Sequence, residues 1–106
     1  QLNRLIDKST DSGPQAYQYA LVAQRDGSYL DVRNGITELK AGDVWKYGTT
    51  INTDQRYPSS ALESLNLRME IQSSGTPSQV LVQEKLMLIN HFISNGSLPP
   101  GNKIFK

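Results

Sequence analysis

Three turn signals in the first half of the chain constrain its fold more than any other feature. Asp26-Gly27, Asn34-Gly35 and Ala41-Gly42-Asp43 each separate short runs of strand-forming residues. Turns of this length join antiparallel strands, whereas parallel strands need a long crossover. The run Tyr17–Gln24 is predicted to form a strand, and residues 28–32 are predicted to return beside it as a hairpin partner. The pattern therefore favours an antiparallel meander.

The third turn leads into a further strand, whose sequence is Val44-Trp45-Lys46-Tyr47-Gly48-Thr49-Thr50. Its aromatic and β-branched residues favour a strand, and Gly48 breaks that pattern. Arg56 follows shortly downstream. A tyrosine at a strand end, an adjacent glycine and a nearby arginine fit a phosphate-binding site, but they also fit an ordinary strand end.

Composition sets broad limits on the kind of protein. The 106 residues predict one domain, with residues 1–15 as a polar connector and residues 16–106 as the folded part. The net charge of +1 does not indicate a strongly basic nucleic-acid binder. The absence of cysteine excludes disulfides and thiolate metal sites.

The second half predicts a helix, a strand and a longer helix. Pro58 suits the first turn of a short helix ending near Asn66, in which Ser60 and Glu63 have capping-box spacing. Residues 67–72 alternate apolar and polar, which predicts a half-buried strand. The second helix has Thr76 as its cap, Pro77 at its first position and Gln79 as the reciprocal cap, and Gly96 ends it after Asn95. With the strands before them, these elements predict an α+β fold: a small, mostly antiparallel sheet of three or more strands, with two or three helices packed on it.

The second helix carries an apolar stripe and two residues that could bind a metal ion or take part in catalysis. The stripe, expected to be buried, consists of Val82, Leu86, Ile89 and Ile93, and it is widened by Leu81, Leu88 and Phe92. Glu84 is predicted at the border of this face, with His91 near the same line. A carboxylate held at such a border suits Mg²⁺, although a solvated surface position explains it too. Zinc motifs with two histidines, Cys–His catalysis, phosphate-binding glycine loops and the serine nucleophile elbow are all absent from the sequence.

The order of these parts resembles the GIY-YIG nuclease family from Tyr17 to the C-terminus. Residues 46–50 (Lys-Tyr-Gly-Thr-Thr) resemble its second motif, with Tyr47 at either the Tyr or the Ile position. Residues 17–19 (Tyr-Gln-Tyr) resemble the first motif without its glycine, which favours Tyr19, and Tyr29 is the alternative. The amino-acid sequence of residues 44–48, 56–57 and 98–102 is still more similar to that of toxin domains at the C-termini of bacterial polymorphic toxins of the Rhs and contact-dependent-inhibition type.

The resemblance implies metal-dependent hydrolysis of phosphodiester bonds. Glu84 would bind Mg²⁺ or Mn²⁺, and Arg56 would clamp phosphate oxygens. Tyr19 or Tyr47 would orient or deprotonate the attacking water, and His91 is the alternative base.

The resemblance also implies the substrate and the partners. Lys46, Thr50 and Asn102 are the expected substrate-binding residues, and the expected substrate is nucleic acid, with DNA favoured over RNA. We expect an antibacterial toxin domain that is delivered from the producing bacterium and acts in the target-cell cytoplasm, with a cognate immunity protein and no membrane span. The alternatives are an RNA-cleaving toxin of the same fold and a non-enzymatic α+β module that binds a protein through its Trp45/Tyr47 face.

Overall fold

The structure is a computed structural model in which residues 15–51 and 57–102 are described. It is an α+β protein in which antiparallel strands form two sheets and the described helices pack against the larger sheet. The predicted fold class is therefore confirmed. The elements in chain order are β1 (Ala16–Ala23), β2 (Gly27–Asp31), β3 (Gly35–Leu39), β4 (Val44–Thr50), α1 (Ser59–Ser64), β5 (Leu67–Gly75) and α2 (Pro77–Asn95).

The larger sheet has the order β4-β1-β5, and β2 and β3 pair separately as a hairpin. The predicted hairpin between β1 and β2 is wrong, although the antiparallel pairing of β1 with β4 and β5 is observed. Because β1 is buried along nearly its whole length, its backbone groups need partners on both edges. The turn after β1 instead leads away from the sheet, where Asp26 Oδ1 accepts the Ala41 N–H at 2.8 Å.

A bulge in β4 decides which of its side chains share a face. Trp45 is skipped in the pairing with β1. As a bulge allows, Trp45 and Lys46 therefore point to the same side of the sheet. Trp45 packs against the cluster that contains Tyr19. Lys46 Nζ donates to the hydroxyl of Tyr57, which packs against the same cluster, at 3.1 Å. Tyr47 consequently points to the opposite side of the sheet.

The sheet separates two apolar cores, which we call the α1 core and the α2 core. The buried residues of the α1 core are Tyr19, Leu21, Ala23, Tyr29, Leu62 and Leu67. Those of the α2 core are Ala20, Val22, Tyr47, Leu88 and Leu98. Alternate residues of β1 therefore enter alternate cores, because successive side chains of a strand point to opposite faces.

Helix α1 begins where the sequence predicts but is not capped as predicted. Pro58 occupies the N-cap position, and no side chain caps the helix. The expected capping box of Ser60 and Glu63 is wrong because Ser60 lies inside the first turn, two residues after the N-cap position. Asn66, in the left-handed region at φ 59°, turns the chain from the helix into β5.

Helix α2 has the termini that the sequence predicts. The Thr76 side chain accepts the Gln79 N–H, and the Gln79 side chain accepts the Thr76 N–H, so the capping box is complete. Gly96 ends the helix at φ 79°, in the left-handed region that glycine favours.

The rotation of α2 about its axis differs from the prediction. Val80 and Leu88 are its buried residues, whereas the predicted stripe is exposed, with Ile93 reaching 73% exposure. A single residue, Thr76, separates β5 from α2, and this short capped connection fixes how the helix is rotated on the sheet. The outward face consequently carries an exposed apolar arc, which consists of Leu81, Val82, Leu86, Ile89, Phe92 and Ile93.

The segment after α2 is hydrogen-bonded to the β2–β3 hairpin and to β4. The Val32 N–H donates to the Pro100 carbonyl at 2.9 Å, and the Arg33 guanidinium donates to the Leu98 carbonyl at 2.7 Å. The Gly101 N–H donates to the Trp45 carbonyl at 2.6 Å. In the described part of the chain, neither helix has the length and apolarity needed to cross a membrane.

Candidate functional site

The pairing of β1 with β4 sets Tyr19 directly opposite Gly48. The Tyr19 ring is fully buried in the α1 core and lies across the glycine so closely that a Cβ there would overlap its hydroxyl. The ring also meets the Tyr57 ring edge-on, with 5.9 Å between centroids. Tyr19 is thus a core residue beneath the surface of this face, where bulk water does not reach it.

Polar side chains lie at the margin of the same face, and we call them the α1-face margin. They are Tyr17, Lys46, Thr50 and Tyr57, all half-buried. Lys46 Nζ donates to the Tyr57 hydroxyl and lies 5.8 Å from the centre of the Tyr57 ring. Tyr17 and Thr50 are directly paired across β1 and β4. The margin therefore combines one cation with three hydroxyl groups.

Tyr47 lies on the opposite face, in the α2 core. Its side chain is buried, and this burial raises the pKa of its phenol above the ordinary value. Its ring meets the His91 ring edge-on at 6.3 Å. The phenol is therefore held in its neutral form in an apolar setting, so it is poorly suited to deprotonate water.

Asn102 acts on the backbone of Tyr47. Its Oδ1 accepts the Tyr47 N–H at 2.9 Å, and its Nδ2 donates to the Tyr47 carbonyl at 3.0 Å. The carboxamide thus replaces a neighbouring strand at the edge of β4. Asn102 is buried, so these bonds are shielded from water.

His91 has one ring nitrogen committed to the backbone. Its Nδ1 lies 2.8 Å from the Ser97 carbonyl, which can only accept, so Nδ1 carries a hydrogen. Nε2 is then the acceptor in the neutral ring. His91 also lines a cleft of about 420 Å³ beside the hairpin, in which Asp31 and Asp43 are carboxylate neighbours.

Glu84 is half-buried on the sheet-facing side of α2, just outside the edge of the apolar stripe as predicted. At 100° per residue it lies within about 40° of Val80 and Leu88, both buried. The helix begins beside the end of the sheet at which Ala16 pairs with Gly75. Glu84 is two turns into α2 and therefore lies on the α2 side of the sheet, opposite Lys46 and Tyr57.

The structure brings together only some of the predicted site residues. Tyr47 contacts His91 and Asn102, whereas Tyr19, Lys46 and Thr50 belong to the opposite face. Arg56 lies outside the described residues. The contact between Lys46 and Tyr57 was not predicted. Its signal in the sequence is an aromatic residue directly after Arg56, and this signal identifies no partner without the fold.

The described residues contain no cluster of three or more His, Cys, Asp or Glu side chains that could hold a metal ion. A site there would depend on Glu84 alone among the predicted ligands. This still fits Mg²⁺, which is often bound by one or two carboxylates with water and phosphate oxygens.

Comparison of the chain with protein-family models, with curated proteins and with solved structures gives no match. The GIY-YIG likeness thus remains a resemblance carried by the residues quoted above.

Proposed function

We propose that the chain is a metal-dependent endonuclease that hydrolyses nucleic-acid phosphodiester bonds, with DNA favoured. The observation that carries the proposal is the direct pairing of β1 with β4. It places Tyr19 against Gly48, and Lys46, which donates to Tyr57, lies on the same side. Tyr19 of the first motif therefore shares one face with Lys46 and Gly48 of the second.

The α1-face margin is the proposed surface for the substrate phosphate. The Tyr57 hydroxyl accepts a hydrogen bond from Lys46 Nζ, which holds the two side chains together at this margin. Two ammonium hydrogens of Lys46 also remain for phosphate oxygens, and donors with a positive charge make the stronger bonds to them. Arg56, next to Tyr57 in sequence, would add the clamp that the resemblance implies.

The face assignment also favours one of the two readings of the second motif. Lys46 and Gly48 share the face of Tyr19, whereas Tyr47 packs as an apolar residue would, against Leu88. Tyr47 therefore fits the Ile position, with Lys46 at the Tyr position. We assign the task of orienting the attacking water to Tyr57, the phenol at the accessible margin of this face.

Glu84, on the α2 side of the sheet, is the residue that would hold the metal ion. The chemistry that Mg²⁺ or Mn²⁺ supplies when bound is polarisation of the scissile phosphate and stabilisation of the leaving oxygen. In the hydrolysis, a water oxygen bonds to phosphorus and the bond to the leaving sugar oxygen breaks. Lys46 and Tyr57 would hold the phosphate in line for that displacement.

The test is cleavage of plasmid DNA and of RNA, in parallel, with Mg²⁺ or Mn²⁺. We expect cleavage of DNA that stops on chelation of the metal. Glu84→Gln and Lys46→Ala should each lower the rate by about 100-fold or more, because each removes a group that acts on the reacting phosphate. Glu63→Gln, an exposed carboxylate on α1, is the matched control and should cleave normally.

Three outcomes would contradict the proposal in different ways. Intact DNA and RNA with a folded protein would refute the nuclease assignment. Full activity in Lys46→Ala with loss in His91→Gln would keep the nuclease but move its site to the α2 face. Cleavage of RNA but not of DNA would make RNA the substrate instead of DNA.

We also propose that the activity serves an antibacterial toxin delivered into the target-cell cytoplasm and neutralised by a cognate immunity protein. Only the resemblance supports this part. Cytoplasmic expression should arrest growth, and Glu84→Gln should relieve the arrest. Equal growth arrest by the wild type and by Glu84→Gln would show that toxicity does not depend on cleavage.

A second candidate is a non-enzymatic protein-binding module, and the exposed apolar arc of α2 favours it. Monomeric proteins seldom leave so many large apolar side chains together in solvent. The Trp45/Tyr47 face named by the sequence is not accessible for this purpose. Tyr47 is buried, and the Trp45 ring is covered by Gly101.

A further inference from the structure

The two edges of the larger sheet differ in how they are covered. The edge of β4 is occupied by the chain's own tail, through the Gly101 N–H and the Asn102 carboxamide. Strand β5 pairs with β1 on one side, and on its other side no described strand adds to the sheet. An open strand edge presents N–H and C=O groups to any strand that can match it, and in β5 the Leu67 carbonyl already accepts a hydrogen bond from Gln24 Nε2 at 2.7 Å.

The regular part of β5 is short and has a symmetrical pattern. A bulge at Gln72 interrupts its pairing with β1, which leaves residues 67–71 as an unbroken strand centred on Met69. Leu67, Met69 and Ile71 face the α1 side, and Ile71 is half-exposed. Arg68 and Glu70 flank Met69 on the other side, both exposed, and form an ion pair at 2.8 Å.

We propose that β5 pairs antiparallel with β5 of a second copy of this chain, about a two-fold axis through Met69. The two three-stranded sheets then join into one of six strands. In this register Arg68 of each copy lies directly opposite Glu70 of the other, and Leu67 lies opposite Ile71. Opposite charges and apolar pairs placed directly across two strands both stabilise the pairing.

Neighbouring registers lack this match. A shift by one residue sets apolar side chains against charged ones, because the side-chain period of a strand is two. Moving the axis to Glu70 sets the two Glu70 carboxylates against each other, which is destabilising. The self-complementary charges therefore select a second copy as the occupant and Met69 as the centre.

The size of the interface sets its strength. Five residues of strand from each copy, with α1 beside the Leu67 face, form an interface at the small end of specific associations. The dimer should accordingly dissociate on dilution.

The test is sedimentation analysis over a range of protein concentrations. Wild-type protein should pass from monomer to dimer as its concentration rises. Arg68→Glu and Glu70→Arg each set like charges opposite each other in both cross-strand pairs, and each should raise the dimer dissociation constant by about tenfold or more. Lys85→Glu, a charge reversal on α2 away from β5, is the matched control and should dimerise like the wild type.

Mixing the two single variants gives the decisive measurement. Each is self-repelling, but together they restore both opposite-charge pairs, so an equimolar mixture should form a heterodimer. Loss of the ion pair within each chain cannot produce that result. A wild-type chain that stays monomeric at its highest soluble concentration would overturn the proposal and leave Arg68 and Glu70 as charges that protect the edge. A dimer that ignores both reversals, or variants that fail to associate on mixing, would also overturn it.

Discussion

The close approach of Tyr19 to Gly48 makes a strong prediction about stability. In Gly48→Ala the new Cβ would overlap the Tyr19 hydroxyl and lie 2.5 Å from Cζ and 3.1 Å from Cε1 of its ring. The ring is fully buried, so it can move only by displacing its neighbours in the α1 core. Overpacking of this kind costs about 1–3 kcal/mol.

An opposing effect reduces that cost. Alanine in a strand is favoured over glycine by about 0.5–1 kcal/mol, because glycine loses more conformational freedom on folding. The net prediction for Gly48→Ala is a loss of roughly 1–2 kcal/mol in the free energy of unfolding. That is a substantial part of the about 5–15 kcal/mol expected for a small domain.

The assay is urea unfolding followed by circular dichroism and by Trp45 fluorescence, in a double-mutant cycle. Tyr19→Leu removes the ring atoms that the Cβ would meet, so in that background Gly48→Ala should be neutral or slightly stabilising. Tyr19→Phe keeps Cζ, so most of the cost should remain. The coupling energy between the two sites should be about 1–3 kcal/mol. An equal effect of Gly48→Ala in all three backgrounds would refute the reasoning, because the cost would then not arise from the Tyr19 ring.

Three further predictions concern the buried polar contacts. Asn102→Ala should lower the free energy of unfolding by about 1–3 kcal/mol in urea, because both buried backbone groups of Tyr47 lose their partners. Hydrogen bonds from the Arg33 and Asn34 backbone N–H groups lower the pKa of Asp31 below 3.8, so the stability it provides should be present above about pH 4 and be lost as the pH falls further. Asp31→Asn should flatten that part of an unfolding-against-pH curve, and an unchanged curve would contradict the assignment. Thr76→Ala should cost about 1 kcal/mol by removing the cap of α2, whereas Thr76→Ser should stay near wild type, and equal stability of both would argue against the capping box.

The features that the sequence predicts correctly are those decided by neighbouring residues. The ends of α2 depend on Thr76, Gln79 and Gly96, all within one turn of the terminus that they fix. The turn at Asp26-Gly27 was also located correctly. Its partner strand was not, because the central position of β1 follows from its burial on both faces rather than from the turn.

The faces of the candidate site depend on contacts that no local pattern reveals. The bulge at Trp45 puts Lys46 on the Tyr19 face and turns Tyr47 away, and a regular strand would not place Trp45 and Lys46 on the same side. The rotation of α2 is set by its one-residue link to β5. The apolar stripe of the helix was predicted to be buried and is exposed instead, because the helix packs through a different line, near which Glu84 lies.

The tail after α2 affects how loss of activity in variants can be interpreted. Asn102, predicted as a substrate-binding residue, bonds both backbone groups of Tyr47, and His91, predicted as a base, bonds the Ser97 carbonyl. Substitution of Asn102 or of His91 can thus abolish activity by loosening the tail, even if the side chain makes no contact with the substrate. A substrate role requires that activity fall while the free energy of unfolding stays unchanged. Lys46 and Glu84 meet that requirement more readily than Asn102 does, because both are half-buried rather than buried, so their truncation leaves fewer shielded groups without partners. A parallel decline of stability and cleavage in Asn102→Ala, beside stable but inactive Lys46→Ala, would therefore place substrate binding on the α1 face and assign the tail to support.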